Sequence, residues 1–314
     1  MNRIKHPASV VLALLLTGSI TMPLFAQLPS HLRDYPLAQS KSAGEVVAPM
    51  FNGWTANDDG SVTMLFGFVN RNREQIVDIP LGPNNFIEPA QFDGVQPTHF
   101  PVYNRRGLPD VGFFAGIQER GAFAVTVPAS MAGTEVVWTL KHAGHSYSVP
   151  GRATSTAYQM SAGERALGTL APAIKFERDG PETTNREGIT AAAISASVGI
   201  PVTLSAFAQD RGVRSKYPDV EFEQYPVGTE WIMHQGPAAP DFEPALITGR
   251  ERAKEAVFDA SSNGHWTHVQ TQATFWEPGE YIIRLRVDNF LALDSKFGNM
   301  CCWSNAYVPV TVTP

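Results

Sequence analysis

The sequence predicts an all-β protein made of two β-sandwich domains. Apolar side chains alternate with polar ones along many short stretches, which is the period of a half-buried strand. Gly (26) and Pro (24) are frequent without any repeat period, while hydrophobic residues make up 43% of the 314 residues. This combination is typical of turn-rich β structure and not of disorder. No helical period of comparable length competes with it.

The stretch from Thr271 to Asn289 shows the alternation most clearly. After the turn at residues 277–280, one set of side chains faces one way and two arginines face the other: Tyr281, Ile283, Leu285 and Val287 against Arg284 and Arg286. We expect a hairpin of two antiparallel strands, each with one buried face. A turn that leads into a strand beginning with Tyr resembles the E–F corner of immunoglobulin-like sandwiches, so the Tyr281 hydroxyl should bond back to nearby backbone.

Residues 1–26 read as a secretory signal peptide. Arg3 and Lys5 precede an uncharged apolar run, and Ala26 is a small residue suited to cleavage before Gln27. The apolar run is shorter than a membrane-spanning helix needs, and the mature chain is expected to have no membrane span. The sequence therefore predicts a secreted protein, periplasmic or extracellular.

The charge balance makes nucleic acid an unexpected partner. The net charge is −6, and removal of residues 1–26 would leave 22 basic against 30 acidic residues, or −8. The charges of both signs are scattered, without a basic stripe that could follow a phosphate backbone. The remaining length suits two domains of ordinary size.

The first domain is predicted over residues 49–151, after an extended N-terminal segment at 27–48. Residues 57–60 form an Asn-Asp-Asp-Gly hairpin turn before an alternating strand at Val62–Phe68. Further strands are expected at 76–79, 123–127, 136–140 and 147–149, the last ending at Pro150-Gly151. Between residues 88 and 121 lies a long segment rich in Pro, Gly and Arg, and loops of such length are usually functional or mobile.

A polar linker is predicted at residues 152–188, with Leu170–Phe176 as the first strand of the next domain. The second domain covers residues 189–314. Its expected strands include 202–208, 228–235 and 306–312, together with the two strands around the 277–280 turn. Trp231 is placed like the core tryptophan of an immunoglobulin-like sandwich.

Several motifs resemble those of an uncharacterised family of secreted bacterial proteins. The motifs are Asp59-Gly60-Ser61, Phe66-Gly67-Phe68, Asn70-Arg71-Asn72, Ile79-Pro80, Gly82-Pro83-Asn84, Gln96-Pro97-Thr98-His99-Phe100 and Trp138-Thr139-Leu140. The resemblance covers most of residues 50–314. It implies an N-terminal β domain followed by an immunoglobulin- or PKD-like domain, and secretion, but no activity. This chain departs from the pattern at Ala90 and at Val102-Tyr103-Asn104, which precede Arg105-Arg106.

The sequence lacks the motifs of several enzyme classes. The missing motifs are nucleophile elbows, zinc-protease His-Glu-x-x-His, phosphate loops, dinucleotide glycine motifs and EF-hand loops. Two histidine pairs, His142/His145 and His265/His268, have no third ligand at metal spacing and are interpreted as surface residues. We therefore expect no catalysis, no cofactor and no metal, although a site built from distant loops stays open.

A recognition loop is the first candidate binding site. Gln96, Thr98 and His99 carry hydrogen-bonding side chains in a proline-stiffened frame, and Arg105 and Arg106 could bind carboxylate or sulfate groups in bidentate fashion. The alternative is a loop that packs over the edge of the domain, with both arginines in water.

Exposed tryptophans are the second candidate. Trp54, Trp266 and Trp276 lie near turns, where aromatic faces could stack on sugar rings. The alternative is that each ring covers one end of a sandwich core.

Cys301 and Cys302 are the only cysteines, and they are adjacent. In an oxidising compartment three states are open to them: free thiols, disulfides to another chain, or a disulfide between the two neighbours. The last is strained, since Cα atoms across one trans peptide lie about 3.8 Å apart. The resembling family tends to carry Cys-Cys-Trp here, and a vicinal disulfide that stiffens the loop is favoured over buried free thiols.

The combined interpretation is a secreted or periplasmic, non-catalytic interaction protein that binds an envelope protein or a surface polymer. The first alternative is a carbohydrate-binding accessory module, for which the partner would be a polysaccharide. The second alternative is a hydrolase with a site built from loops.

Overall fold

Two β-sandwiches make up the part of the chain that the computed structural model describes. That part comprises residues 41–102, 118–160, 168, 170–183, 186–212, 227–249, 251–252, 265–288 and 303–314. The predicted all-β class is confirmed, and the described residues from Lys41 onward belong to one compact unit.

The first sandwich is built from strands β1 to β8. They are β1 (Val47–Ala56), β2 (Val62–Asn70), β3 (Val77–Asp78), β4 (Asn85–Glu88), β5 (His99–Phe100), β6 (Gln118–Val127), β7 (Val136–His142) and β8 (His145–Gly151). One sheet has the order β1-β2-β6, the facing sheet has the order β4-β7-β8, and β3 pairs with β5.

An aromatic cluster fills the space between these sheets. Phe66 of β2 and Phe123 of β6 stack at 5.3 Å, and the Phe123 ring meets Trp138 of β7 edge-on at 4.9 Å. Asn85 supplies the buried polar partner, because its Oδ1 accepts the Trp138 indole N–H at 2.9 Å. Its amide nitrogen donates to the carbonyls of Ile79 and Pro97, which ties the 79–97 segment to the core.

The second sandwich is built from strands β9 to β18. They are β9 (Ala173–Lys175), β10 (Ile189–Thr190), β11 (Ile194–Ser197), β12 (Val202–Gln209), β13 (Gly228–Gln235), β14 (Asp241–Glu243), β15 (Leu246–Ile247), β16 (Thr267–Thr274), β17 (Gly279–Asp288) and β18 (Trp303–Thr313).

The strand order of the second sandwich is that of an immunoglobulin-like domain. One sheet runs β14-β16-β12-β9; the other runs β10-β18-β17-β13-β15, with β11 parallel to β18. Strands β9, β12 and β16 of the first sheet correspond to A, B and E of an immunoglobulin domain, and strands β18, β17 and β13 of the other correspond to G, F and C. Trp231 lies on the strand equivalent to C and is buried in the core, as the sequence predicted.

The Tyr281 corner is confirmed, and the hairpin predicted around it is wrong. The Tyr281 hydroxyl donates to the Glu277 carbonyl at 2.8 Å. However, β16 pairs with β12 and β14, while β17 pairs with β13 and β18. The 275–278 turn therefore carries the chain from one sheet to the other. Period-two alternation reveals a strand and its buried face but not which neighbour it pairs with.

Two tight turns connect neighbouring strands of the first sandwich. β1 and β2 pair on either side of residues 57–61, with Ala56 opposite Val62. His142 and His145 face each other across a two-residue turn in which Ala143 and Gly144 have φ of 50° and 76°. Two positive φ values match the twist of a hairpin, and only Gly adopts them without steric cost.

Around the predicted domain boundaries the chain is ordered into the sandwiches. Residues 41–46, at the end of the predicted N-terminal segment, hydrogen bond to residues 71–75, and β1 begins at Val47. Within the predicted linker, β9 pairs with β12 of the second sandwich. The boundaries themselves stay a prediction.

The helices of the described residues include none long and apolar enough to cross a membrane. The predicted signal peptide, residues 1–26, lies outside the described residues.

Candidate functional site at the junction of the sandwiches

The outer face of the larger sheet in the second sandwich is buried against the first sandwich. Arg284 and Arg286 of β17 alternate with core residues, so they point away from their own core, yet they are only 2% and 4% exposed. They lie against β6 of the first sandwich. This contact region, formed by β13, β17 and β18 on one side and residues 94–98 and 119–124 on the other, is termed the junction.

Arg284 is held by the first sandwich through both of its terminal nitrogens. Nη2 pairs with the Glu119 carboxylate and Nη1 donates to the Ala122 carbonyl, both from β6. A charge this far from water is tolerated because an opposite charge and a carbonyl replace the lost hydration. Separating the sandwiches would leave both ions in need of new partners.

Arg286 and Asn305 donate further hydrogen bonds from the second sandwich to main-chain carbonyls of the first. Arg286 Nη1 donates to the Arg120 carbonyl at 2.6 Å, while its Nε donates to Asp288 at 2.9 Å. Asn305 on β18 donates from its side-chain amide to the Gly121 carbonyl at 2.7 Å. Three consecutive carbonyls of β6 thus accept hydrogen bonds from the second sandwich. These bonds fix the position of the second sandwich along β6.

Gly121 allows the two sandwiches to approach closely. It has φ of 59°, and a Cβ placed there would lie 2.0 Å from Nε1 of Trp303. Its N–H donates to Asn52 Oδ1 at 2.8 Å. The absence of a side chain therefore lets the Trp303 indole pack directly on β6, where it joins Leu65, Ala124 and Met160 in a small apolar cluster.

His234 and Gln235 of β13 hold the loop before β5. The His234 carbonyl accepts from Thr98 N at 2.9 Å, and its ring Nε2 lies 2.8 Å from the Val95 carbonyl. Since a carbonyl only accepts, Nε2 carries the proton. Gln235 donates to the carbonyls of Gly94 and Gln96, both at 2.8 Å.

The His234 imidazole is held in its neutral form. Burial, reinforced by the positive charge of Arg284, lowers the pKa of His234 from 6.5 to about 3. With Nε2 protonated, Nδ1 has a lone pair, and it is buried without a hydrogen-bond partner among the described residues. A buried acceptor of this kind costs free energy unless another group donates to it.

A cleft of about 390 Å³ opens beside His234, between the two sandwiches. Its wall from the first sandwich is formed by residues 94–95 and 123–124, and its wall from the second by residues from β10, β13, β17 and β18. The volume lies in the range of small-molecule and peptide-side-chain sites. The junction therefore combines a fixed charge network with an open cleft.

The sequence-predicted recognition residues lie inside the fold. Gln96 is 0% exposed, and its amide group bonds to Asp93 Oδ1, Asn85 O and Gly94 N. His99 Nδ1 lies 2.7 Å from Asp78 Oδ1. Thr98 is buried, and its hydroxyl has no partner among the described residues. These side chains shape the loop that reaches the junction, and their binding role stays a prediction.

The other members of the predicted sites fall outside the described residues. Arg105 and Arg106, predicted to bind anionic groups, belong to this part of the chain. So do Cys301 and Cys302, for which a vicinal disulfide is predicted. Both predictions stand as they were.

The three candidate tryptophans do not form one binding face. Trp266 and Trp276 flank opposite ends of the eight-residue β16, a strand about 27 Å long at ~3.4 Å per residue. Trp54 belongs to the first sandwich and donates its indole N–H to the Ser155 carbonyl. Trp266 lies under the Lys175 ammonium at 4.1 Å, while Trp276 is 54% exposed and bonded to Asp241.

The junction was missed in the sequence because its signal is weak. Arg284 and Arg286 occupy the side of β17 that period-two alternation marks as polar, which normally means water. A β-strand with buried positions on both faces would read as a continuous apolar run. Here the second face is buried through charged side chains, and the pattern shows nothing unusual.

Among the described residues no group of three or more His, Cys, Asp or Glu side chains is placed to hold a metal ion.

Comparisons with known proteins give no family. No protein-family model matches the chain, and no curated protein matches it. Domains 4 and 5 of the S-layer protein SbsC match 86% of this chain and 98% of that chain, at 10% identity and a TM-score of 0.23. The D0-D1 domain of intimin matches 85% and 100%, at 9% identity and a TM-score of 0.23. A protein of unknown function from Porphyromonas gingivalis W83 matches 85% and 98%, at 10% identity and a TM-score of 0.22. At TM-scores this low, the likenesses carry no argument about this chain.

Proposed function

We propose that this protein is a non-catalytic interaction protein of the bacterial cell envelope, in which two sandwiches act as one rigid binding unit. The observation that carries the proposal is the junction: Arg284 and Glu119 are both buried there and paired across the two sandwiches. A flexible tether would leave such charges in water. A fixed junction instead holds two sandwich surfaces, and the cleft between them, in constant geometry toward a partner.

The chemistry of the junction supports binding more than catalysis. General acid–base catalysis needs a group that titrates near the working pH and can reach a substrate. His234 is kept neutral and donates to the Val95 carbonyl, and removal from water raises the pKa of Tyr307 to about 12. Both groups therefore keep their protons fixed across the physiological range. Such groups suit the positioning of a ligand by hydrogen bonds.

Export is part of the proposal and rests on residues 1–26. A basic start, an apolar run and a small residue before Gln27 are the signals of a cleaved leader. Family membership, implied by the motifs at residues 59–61, 96–100 and 138–140, is likewise a proposal and agrees with export.

A binding experiment with fractionated envelope tests the proposal. The full chain is immobilised and exposed to solubilised membrane proteins and, separately, to protein-free envelope polysaccharide. Saturable binding to either fraction without any change in the mass of the bound material supports an interaction protein. Cleavage of the material, or no binding to either fraction, would overturn the proposal. Protease treatment of the bound fraction then separates a protein partner from a polymer.

A carbohydrate-binding role is the second candidate, and one observation favours it. The Trp276 ring is 54% exposed, while its indole N–H is fixed by Asp241 at 2.8 Å. An exposed aromatic face held in one orientation suits stacking on a sugar ring. If this role is real, Trp276→Ala should weaken polysaccharide binding at least fivefold, since stacking contributes about 1 kcal/mol or more. Equal binding by the variant would exclude Trp276 from the site.

A further inference from the structure

The cleft at the junction lies between two sheet edges. β6 is the last strand in the order β1-β2-β6, and β10 is the first in the order β10-β18-β17-β13-β15. Residues of both strands, Ala124 and Thr190, line the cleft. A strand edge presents unpaired main-chain N–H and C=O groups unless other groups cover them.

Two main-chain groups on the β6 edge already have partners outside the first sandwich. The Ala122 carbonyl accepts from Arg284, and Thr126 N donates to Glu187 Oε1 at 2.7 Å. Both main-chain groups therefore point away from β2. Alternate residues of an antiparallel strand direct these groups to the same side, so Ala124 turns its N–H and C=O away from β2 as well. Of the three residues that face this side, Ala124 is the one that borders the cleft.

On the opposite side of the cleft, β10 also has a residue whose main-chain groups point away from its own sheet. Ala191 N donates to the Tyr307 carbonyl at 2.8 Å, so Ala191 faces β18. Its neighbour Thr190 therefore directs its main-chain groups away from β18. Thr190 is exposed and borders the cleft. The cleft thus has a strand edge on each side.

The rest of the lining combines apolar surface with a few polar groups, one of which is an acceptor without a partner among the described residues. Phe123, Ile282 and Pro309 contribute apolar surface, and Glu187, at the Thr126 end, is the one carboxylate among the described lining residues. His234 also lines the cleft, and its Nδ1 is buried without a partner among the described residues. Because the ring stays neutral, Nδ1 can accept a hydrogen bond from a ligand. An uncharged donor fits this place better than an ion does.

We propose that the cleft binds an extended, uncharged, apolar peptide segment of a partner protein, which pairs through its main chain with Ala124 of β6. Main-chain pairing with a strand edge gives affinity, and the apolar walls select the side chains that flank the paired residue. This inference rests on the proposed interaction function and names its partner class. A single residue of the segment would donate to the Ala124 carbonyl and accept from the Ala124 N–H.

A short capped peptide is the probe for this site. Acetyl-Val-Thr-Val-amide is titrated into the full chain, and backbone amide signals are followed by NMR. We expect saturable shifts at Ala124 and Thr190. In a series with each amide nitrogen methylated in turn, at least one member should bind about fivefold more weakly, because one hydrogen bond is lost. Equal affinity across the series, or no saturable shift, would overturn the proposal.

Two variants locate the peptide on the protein. Ala124→Pro removes the N–H that faces the cleft and no ladder bond to β2, a substitution that edge strands tolerate. It should weaken the peptide about fivefold or more, whereas Ala124→Ser should bind like the wild type. Thr190→Trp fills the cleft mouth and should abolish binding, while Thr203→Trp, on exposed β12 surface, should not. If Ala124→Pro fails to fold, the Thr190 and Thr203 pair decides.

The outcomes also separate this inference from the proposed function. Envelope binding that persists in Thr190→Trp, with no peptide binding by the wild type, overturns the peptide site and leaves the interaction function standing. Protection of the Ala124 amide from hydrogen exchange in the protein alone would place a segment of the same chain in the cleft, and would overturn the partner assignment.

Discussion

At the scale of single residues, Arg284 binds the two sandwiches together most directly. Arg284→Ala would remove the cation that pairs with the buried Glu119 carboxylate. Breaking a buried pair from one side costs about 3–5 kcal/mol, so the free energy of unfolding in urea should fall by about this amount. Arg152→Ala is the matched control, because Arg152 pairs with Glu135 at the surface, where such pairs contribute about 0–1 kcal/mol. Similar losses for both variants would contradict the assignment.

Tyr281 offers a smaller test of the corner between the two sheets. Its hydroxyl donates one hydrogen bond to the Glu277 carbonyl, while its ring packs against Phe275 at 4.8 Å. Tyr281→Phe keeps the ring and removes the bond, so it should cost about 1 kcal/mol. Chemical denaturation measures this change. A variant as stable as the wild type would mean that the bond adds nothing to the corner.

His234 gives the protein a defined dependence of stability on pH. The pKa of His234 is about 3 in the folded state and near 6.5 in the unfolded state. Between these values the unfolded chain binds a proton that the folded protein does not, so stability is lost as the pH falls. Arg284 lowers this pKa and Glu119 raises it, and burial outweighs both.

The pH effect should appear as a difference between two proteins. From about pH 7 to about pH 5, His234 should remove roughly 2 kcal/mol of stability. His234→Gln, whose amide can still donate to the Val95 carbonyl, should show a flatter profile over this interval. Parallel profiles for the wild type and His234→Gln would show that the imidazole does not stay neutral in the folded protein.

At the scale of elements, β6 and β18 meet at Gly121. Gly121→Ala should destabilise by about 2 kcal/mol or more: a positive φ costs roughly 1–2 kcal/mol for a residue with Cβ, and the new Cβ displaces Trp303. Gly133→Ala is the control, since Gly133 has φ of 88° but open space around it. Thermal unfolding followed by tryptophan fluorescence compares the two. Equal effects would show that the contact with Trp303 adjusts without cost.

Strand β17 shows which features of the fold the sequence predicts and which it does not. In β17 the alternation predicted the buried face, and the tyrosine predicted the corner bond. The same pattern assigned Arg284 and Arg286 to water, because burial of a polar face depends on a partner surface more than 160 residues away in the chain. Gln96 and His99, predicted as binding residues, bond to Asp93 in the same loop and to Asp78 on β3, and their binding role stays a prediction. Local sequence patterns predict strands and their buried faces. Contacts between the two sandwiches become visible only in the three-dimensional structure.

At the scale of the whole molecule, the predicted linker should allow a protease to cut the chain in two, while the junction should hold the two fragments together. Limited proteolysis should cut between about Ser155 and Gly188, where polar residues with Gly and Pro join two patterned regions. Because the junction carries buried ion pairs and hydrogen bonds, the two fragments should elute together from a sizing column and separate only in denaturant. Early cleavage within Val62–Phe68 or Tyr281–Val287 would contradict the architecture, and fragments that separate in buffer would contradict a strong junction.

The long sequence separation across the junction also orders events during synthesis. Glu119 and the carbonyls of β6 are made early, but Arg284, Arg286 and Asn305 arrive only as the last strands are completed. Domains of a growing chain tend to fold in turn, the N-terminal one first. The polar edge of the first sandwich would therefore stay hydrated until β18 has been synthesised. A chain truncated before β17 would keep that edge open, so a closed junction marks a chain that has been synthesised as far as β18.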